Sequence, residues 1–379
     1  MVGGRTVAWL GGVGLDANED GNMKLRLPAA LAFALTSTVS GFGSAAAAPP
    51  IASQADVPNV QTRVERRVVH SQGVAGNLLG TSAEREVFVA LPPSYDHNTK
   101  RRYPVVYALH GFSIDAASWM QKLDAAGQIA AAFAAGVPEV IVVFPDGSNE
   151  YGGSFYGSST VTGDFETFIA DELPAYIDRE FRSIPEAAAR GLMGHSMGGY
   201  GVARIGMKRP GRFGALYMMS PCCLSTLGAQ GLTAKEVREI NNLASPQAAR
   251  DLPFKYAGPL ATAAAFSPNP AQPPLFVDLP VTEQGESREA IMAKRAANAP
   301  LNFIDQHVAA LRTYRAIRIE VGDQDTIVTA ATELHKNLDN YAIGNHLDVY
   351  PGDHSSKVPE RFQKEALPFF GKYLKRSGD

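Results

Sequence analysis

The chain has 379 residues, of which 45% are hydrophobic and 19% charged, and its formal net charge is −3. That length suits one large α/β domain or two small ones, and the apolar share excludes wholesale disorder. The near-neutral balance offers no basic field, so no nucleic-acid partner is expected.

Residues 1–22 show no periodic pattern and read as an upstream extension of the reading frame, with Met23 as the true start. Met23-Lys24-Leu25-Arg26 is a basic opening, Leu27 to Val39 is apolar, and small residues run from Ser40 to Ala48. A basic start, a short apolar core and an A-x-A end describe a secretory signal peptide. It would span 23–47, with Ala45-Ala46-Ala47 as the cleavage site, because a cut after Ala48 would leave Pro49 first. The alternative is a retained apolar helix or anchor, but the run is short for a bilayer. No cysteine follows it to carry a lipid. No later stretch is long and apolar enough to span a membrane, so the expectation is a secreted or periplasmic protein without stable membrane insertion. Residues 48–61 are rich in Pro and Ala and read as a flexible leader.

From residue 62 to the end the pattern is that of a folded domain. Thr62 to His70 and Arg85 to Leu91 alternate apolar and polar residues and are predicted to pair as an antiparallel hairpin at a sheet edge. Tyr103 to Leu109 and Val140 to Phe144 are continuous apolar runs, as expected of central parallel strands. Helices are predicted over Ser118–Ala135 and Gly163–Arg182. Leu192 and Met193 lie on the next strand, and Ala215–Met219 form another. Ala316–Val321 and Leu347–Tyr350 are the last strands, with a helix over Ile327–Tyr341 between them and one over Val358–Lys375 at the end. This alternation implies a mostly parallel sheet covered on both faces. The interval 222–300 breaks the rhythm. It carries two helical stretches, Thr233–Leu243 and Ser287–Ala297, and reads as a cap over the C-terminal edge of the sheet; a long structureless loop is the alternative.

The two cysteines, Cys222 and Cys223, are adjacent. Their Cα separation is too short for an unstrained bridge, so they are expected to be small buried side chains at a strand end, with a strained vicinal disulfide as the alternative. No Cys/His grouping has zinc spacing and no H-E-x-x-H occurs, so neither metal nor cofactor is expected.

The stretch that carries chemistry is Gly194-His195-Ser196-Met197-Gly198. In a chain with 36 glycines a bare G-x-S-x-G means little. Here an apolar run leads in and a helix-compatible segment leads out, the context of a nucleophile elbow. The glycines remove side chains that would collide with neighbouring elements, and the following helix directs free N–H groups at the reacting centre. A serine hydroxyl needs a base, and the base needs a carboxylate. In the Ser-acid-His order both follow the nucleophile on loops at strand ends. Gly322-Asp323-Gln324-Asp325 supplies the acid, with Asp325 preferred and Asp323 as its rival; either also suits a helix cap. Pro351-Gly352-Asp353-His354 supplies the base, His354. His346 begins the same strand and so lies at the wrong edge. The oxyanion donors are expected to be the backbone N–H groups of Met197 and Phe112. Phe112, Trp119, Phe155 and Tyr156 are candidate pocket walls, or core.

Together, L-H-G-F at Leu109–Phe112, F-P-D-G at Phe144–Gly147 and D-F-E-T-F-I-A-D-E-L-P-A-Y-I-D at Asp164–Asp178 form a recognisable set with G-H-S-M-G-G at Gly194–Gly199, M-S-P at Met219–Pro221, G-D-Q-D and P-G-D-H. With these motifs the chain resembles the esterase D group of α/β-hydrolases. That group includes carboxylesterases, feruloyl and acetyl-xylan esterases, S-formylglutathione hydrolases and the antigen 85 mycolyltransferases. The resemblance covers most of residues 62–375 and implies an α/β-hydrolase fold with serine acyl chemistry. Two departures stand out. Ser154-Phe155-Tyr156 replaces a tryptophan-tyrosine pair frequent in the family, and the 222–300 insertion is longer than in compact members. Both bear on substrate, so activity is expected at the level of carboxylic esters, small or polysaccharide-linked. An acyltransferase acting on a sugar or lipid hydroxyl, and a non-catalytic binding protein on the same fold, are the alternatives. Oligomeric state is not legible.

Overall fold

The computed structural model describes residues 62–225 and 231–378, together with a short antiparallel pairing of Leu15–Ala17 with Met23–Leu25. Apart from that pairing, the signal peptide and leader expected at 23–61 lie outside the described residues.

Eight strands form one sheet: β1 (Arg63–His70), β2 (Glu84–Leu91), β3 (Val105–Leu109), β4 (Ile141–Pro145), β5 (Arg190–His195), β6 (Ala215–Met219), β7 (Ala316–Gly322) and β8 (His346–Tyr350). Their order across the sheet is β8-β7-β6-β5-β3-β4-β2-β1. The pairings from β4 through β3, β5, β6 and β7 to β8 are all parallel, whereas β2 runs antiparallel to both β4 and β1. The predicted hairpin is thus the antiparallel edge of a parallel sheet.

The central strands are apolar throughout because both faces are covered. Val105, Tyr107 and Leu109 pack to one side, and Val106 and Ala108 to the other. The second side is closed by α1 (Ala116–Leu123), α2 (Ala125–Ala134) and the C-terminal helix over 358–373. The first is closed by the helix over 165–180, by α4 (Met197–Lys208) and by α8 (Val328–Asn340); the helix over 165–180 is α3 and that over 358–373 is α9.

Three helices differ from their expected form. The predicted Ser118–Ala135 helix is two helices, broken where Asp124 adopts a left-handed φ of 48° and its N–H turns back to the Gln121 and Met120 carbonyls. Both α3 and α9 contain a π-helical turn, at Phe168–Glu172 and Phe362–Ala366.

The 222–300 insertion is folded over its described part. It contains α5 (Ala234–Asn241), α6 (Phe254–Phe266) and α7 (Glu289–Ala296). Helix α5 begins with a capping box between Thr233 and Glu236, a local signal that made it predictable. Helix α6 was not predicted, since Pro259 lies inside it. Side chains of the body fasten the insertion down. Tyr151 Oη donates to the Leu275 carbonyl at 3.0 Å, Ser159 Oγ to Ala264 at 2.6 Å and Tyr200 Oη to Asn298 at 2.8 Å. Among the described residues no helix is long and apolar enough to cross a membrane.

Candidate active site

Strand β5 ends at His195, and α4 begins at Met197. The one residue between them, Ser196, has φ 57° and ψ −115°, a conformation a side chain adopts only under constraint. The constraint is visible. The Ser196 N–H donates to Met219 O on β6 at 3.0 Å, and its carbonyl accepts from Tyr200 at 3.0 Å and Cys222 at 3.2 Å. The glycines of the motif are required by close approach. A Cβ on Gly194 would lie 2.4 Å from the Gly198 backbone, and one on Gly198 would lie 2.2 Å from the Leu109 carbonyl oxygen. The turn therefore fits only because both side chains are absent.

The loops after β7 and β8 meet Ser196 at the C-terminal edge of the sheet. His354 Nε2 is 2.9 Å from Ser196 Oγ, and His354 Nδ1 is 2.8 Å from Asp325 Oδ2. These contacts assign the tautomer: Nδ1 donates to the carboxylate, and Nε2 is left to accept from the hydroxyl. Asp325 is 4% exposed and its Oδ1 accepts from the Ile327 N–H at 3.2 Å, so it also fills the turn-capping role. The rival Asp323 is not at the imidazole. Its Oδ1 accepts the Gly352 N–H at 3.0 Å, and its own N–H donates to Tyr350 at 2.8 Å. Asp323 thus latches the acid loop to the base loop, aided by Gln324 N–H on Gly352 O at 3.0 Å. His346 is exposed at the opposite end of β8.

Met197 opens α4, where an N–H has no intrahelical acceptor. Phe112 follows β3 in a turn, and among the described residues neither its N–H nor that of Met197 finds a backbone acceptor. The Phe112 loop is well braced. Gly147 N–H donates to His110 Nε2 at 2.8 Å, Tyr156 Oη to His110 O at 3.1 Å, and Ser113 N–H to Gly152 O at 2.9 Å. Beneath it, Arg85 donates to Asp146 at 2.7 Å. Burial alone would raise the Asp146 carboxyl, but the Arg85 guanidinium and the Ser148 hydroxyl bonded to it hold it well below the usual carboxylate range.

His195, the motif residue before Ser196, has a role that the sequence pattern does not assign. Its Nε2 lies 2.7 Å from the carbonyl oxygen of His354, so the neutral ring donates there and pins the loop that carries the base. Its ring also stacks on Trp119, with centroids 5.6 Å apart and planes 12° off parallel. Burial, reinforced by the neighbouring His354, lowers its pKa to about 4. The only sequence signal was its position in the motif.

The aromatic candidates divide. Trp119, Phe155 and Tyr156 are buried at 5%, 3% and 0% exposure and belong to the core. Phe112 alone lines open space, a cavity of about 400 Å³ shared with Ile114, Asp115, Tyr151, Leu252 and Phe254. The insertion supplies the far wall, where Phe254 packs edge-on against Phe112 at 5.6 Å and Arg250 donates to Glu150 at 2.6 and 2.7 Å. The cysteines are unbridged near a strand end, as first expected, but less buried than expected. They are free, half-buried thiols three and four residues beyond β6, with no disulfide between them. Among the described residues no cluster of three or more His, Cys, Asp or Glu is arranged to hold a metal ion.

The chain is similar to known proteins in sequence and in fold. The Esterase family model, described as "Putative esterase", matches residues 80–365. Esterase Rv1288 of Mycobacterium tuberculosis is 35% identical over 128 residues, 34% of this chain and 27% of that protein. An endo-1,4-beta-xylanase/feruloyl esterase of Xylanibacter ruminicola is 31% identical over 144 residues, 35% of this chain and 19% of that protein. The chain thus spans about a quarter of the length of these curated relatives. Among solved structures, a ferulic acid esterase superposes with a TM-score of 0.60 at 22% identity, covering 83% of this chain and 100% of that one. An S-formylglutathione hydrolase from Agrobacterium tumefaciens gives 0.55 at 17% identity, covering 83% and 97%. These likenesses, with the strand order above, establish the α/β-hydrolase fold.

Proposed function

The chain belongs to the esterase family, and from that premise we propose that it is a serine carboxylesterase working through an acyl-enzyme on Ser196. The observation that carries this reading is the unbroken chain of hydrogen bonds from Ser196 Oγ through His354 to the buried Asp325, at 2.9 and 2.8 Å. Ser196 Oγ attacks the ester carbonyl while His354 Nε2 takes its proton. Asp325 holds the ring in that orientation and stabilises the imidazolium that forms. The oxyanion develops between the Phe112 and Met197 N–H groups, at the positive end of α4. His354 then returns the proton to the leaving alcohol. A water, deprotonated by the same ring, resolves the acyl-enzyme.

The Phe112–Phe254 cavity suits an apolar or aromatic portion of the ester. The relatives named for feruloyl esters make aromatic acyl groups the first to try. An exported location rests on the signal-peptide reading that starts at Met23.

Turnover of p-nitrophenyl acetate and butyrate by wild type and Ser196→Ala tests the proposal. Loss of the nucleophile is expected to lower kcat by at least about 10³-fold. Equal rates would exclude Ser196 as the nucleophile. A panel from acetyl to long-chain and feruloyl esters then fixes the acyl preference, and product analysis with added alcohols separates hydrolysis from acyl transfer.

A further inference from the structure

The adjacent cysteines are not absorbed by the esterase chemistry, yet they adjoin it. Cys222 N–H donates to the Ser196 carbonyl at 3.2 Å, which holds the cysteine pair against the backbone of the nucleophile. The two sulfurs lie 2.9 Å apart, and the backbone that turns them together is in a left-handed conformation at Cys223, φ 57°. Both residues are half-buried, so a small reagent can reach them.

We propose that Cys222 and Cys223 form a bidentate site for a trivalent arsenical, and that its occupation blocks Ser196. Sulfur separation decides which soft acceptor fits. With bonds to sulfur of about 2.3 Å, a linear two-coordinate metal needs sulfurs about 4.6 Å apart, whereas a pyramidal centre with near-right-angle bonds needs about 3.3 Å. The observed 2.9 Å is close to the second and far from the first. A disulfide requires about 2.05 Å and must contract across the intervening peptide. Trivalent arsenic is pyramidal and binds thiolates. The step is a condensation without change of oxidation state. An arsenoxide, R–As=O, and two thiols give R–As(S–Cys)₂ and water; two S–H bonds break, two As–S bonds form, and the oxygen leaves with both protons. Because Cys222 is bonded through its N–H to the Ser196 backbone, the substituent on arsenic comes close to Ser196, where the ester carbonyl must enter. The block rests on the esterase reading above, but the adduct does not.

The test uses the full chain, reduced with a phosphine, and one equivalent of phenylarsine oxide. Intact-mass measurement is expected to show one phenylarsenic per chain that survives excess 2-mercaptoethanol, as a chelate does and a single As–S bond does not. Ester turnover is expected to fall at least about tenfold, the rate effect of about 1.4 kcal/mol, and to return with 2,3-dimercaptopropanol. Cys223→Ser, checked against Cys223→Ala and by thermal melting, is expected to keep turnover and to take no monothiol-resistant adduct. No adduct, an adduct stripped by monothiol, or an equally stable adduct on Cys223→Ser would overturn the site. A stable adduct with undiminished turnover would overturn its placement against Ser196. If wild type turns over no ester, the esterase reading fails while the adduct mass still decides the site.

Discussion

The side chain with the most leverage outside the Ser-His-Asp chain is His195. It is buried and neutral, and its Nε2–H on the His354 carbonyl fixes where the base stands. Displacing a base by about 1 Å can cost about 10²-fold in rate. His195→Ala is therefore expected to lower kcat by about that factor while leaving KM within about threefold. His195→Gln, which retains an amide donor, is expected to recover part of the loss. A parallel fall in KM and kcat for both variants would mean that His195 only fills space. The same residue bears on stability. Its folded pKa is depressed to about 4, against about 6.5 when unfolded, so its contribution is present above pH 6.5 and is lost as pH falls toward 4. Urea titrations should show wild type weakening across that window by up to about 1.4 kcal/mol per pH unit more than His195→Gln. Equal slopes would contradict a neutral buried ring. That Ser196, Asp325 and His354 meet at one edge of the sheet was legible in sequence, because topology dictates where these residues fall. The role of His195 was not legible, because a hydrogen bond to the backbone of residue 354 leaves no pattern.

At the scale of elements, two turns make the site. The elbow depends on the contact of Gly198 with the end of β3. Gly198→Ala would put a methyl 2.2 Å from the Leu109 carbonyl oxygen and is expected to cost about 3 kcal/mol in folding stability and most of the turnover. A variant that melts and turns over like wild type would contradict this geometry. The acid and base loops form the other turn pair, and their aspartates do different work. Asp325→Asn leaves the imidazole in the wrong tautomer and is expected to lower kcat by about 10⁴-fold. Asp323→Asn weakens only the latch to Gly352 and is expected to change kcat by less than about tenfold. The reverse order would exchange their roles. Sequence pattern located these loops, yet it merged α1 with α2 and missed α6. In the first case the break is a backbone torsion at Asp124, which no apolar periodicity marks. In the second, Pro259 masks a helix whose register is set by burial against the body.

Across the whole molecule, the sheet edge carrying the site is supported by a buried ionic group. Glu320 on β7 is fully buried, accepting from Arg361 Nε at 2.9 Å and from Tyr217 Oη at 2.5 Å. Burial raises its carboxyl pKa, with Arg361 the main opposing influence. Arg361→Met leaves that carboxylate without its cation and is expected to destabilise the fold by about 3–5 kcal/mol at pH 7.5. A raised folded pKa means that the folded state takes up the proton first, so the deficit is expected to shrink at pH 5. A deficit that is unchanged or larger at pH 5 would contradict a charged Glu320. The fold's outline was readable because strand and helix alternate with matching hydrophobic periods. The insertion was read as a cap from its broken rhythm alone, while its fastening through Tyr151, Ser159 and Tyr200 depends on tertiary contacts. The central claim is that Ser196 becomes acylated. Acid-quenching p-nitrophenyl butyrate turnover and mapping the modified peptide by mass spectrometry tests it most directly. We expect a butyryl group on Ser196 that accumulates in His354→Ala and is absent in Ser196→Ala. Ester turnover with no acyl group on Ser196, or with the group on another residue, would contradict the account.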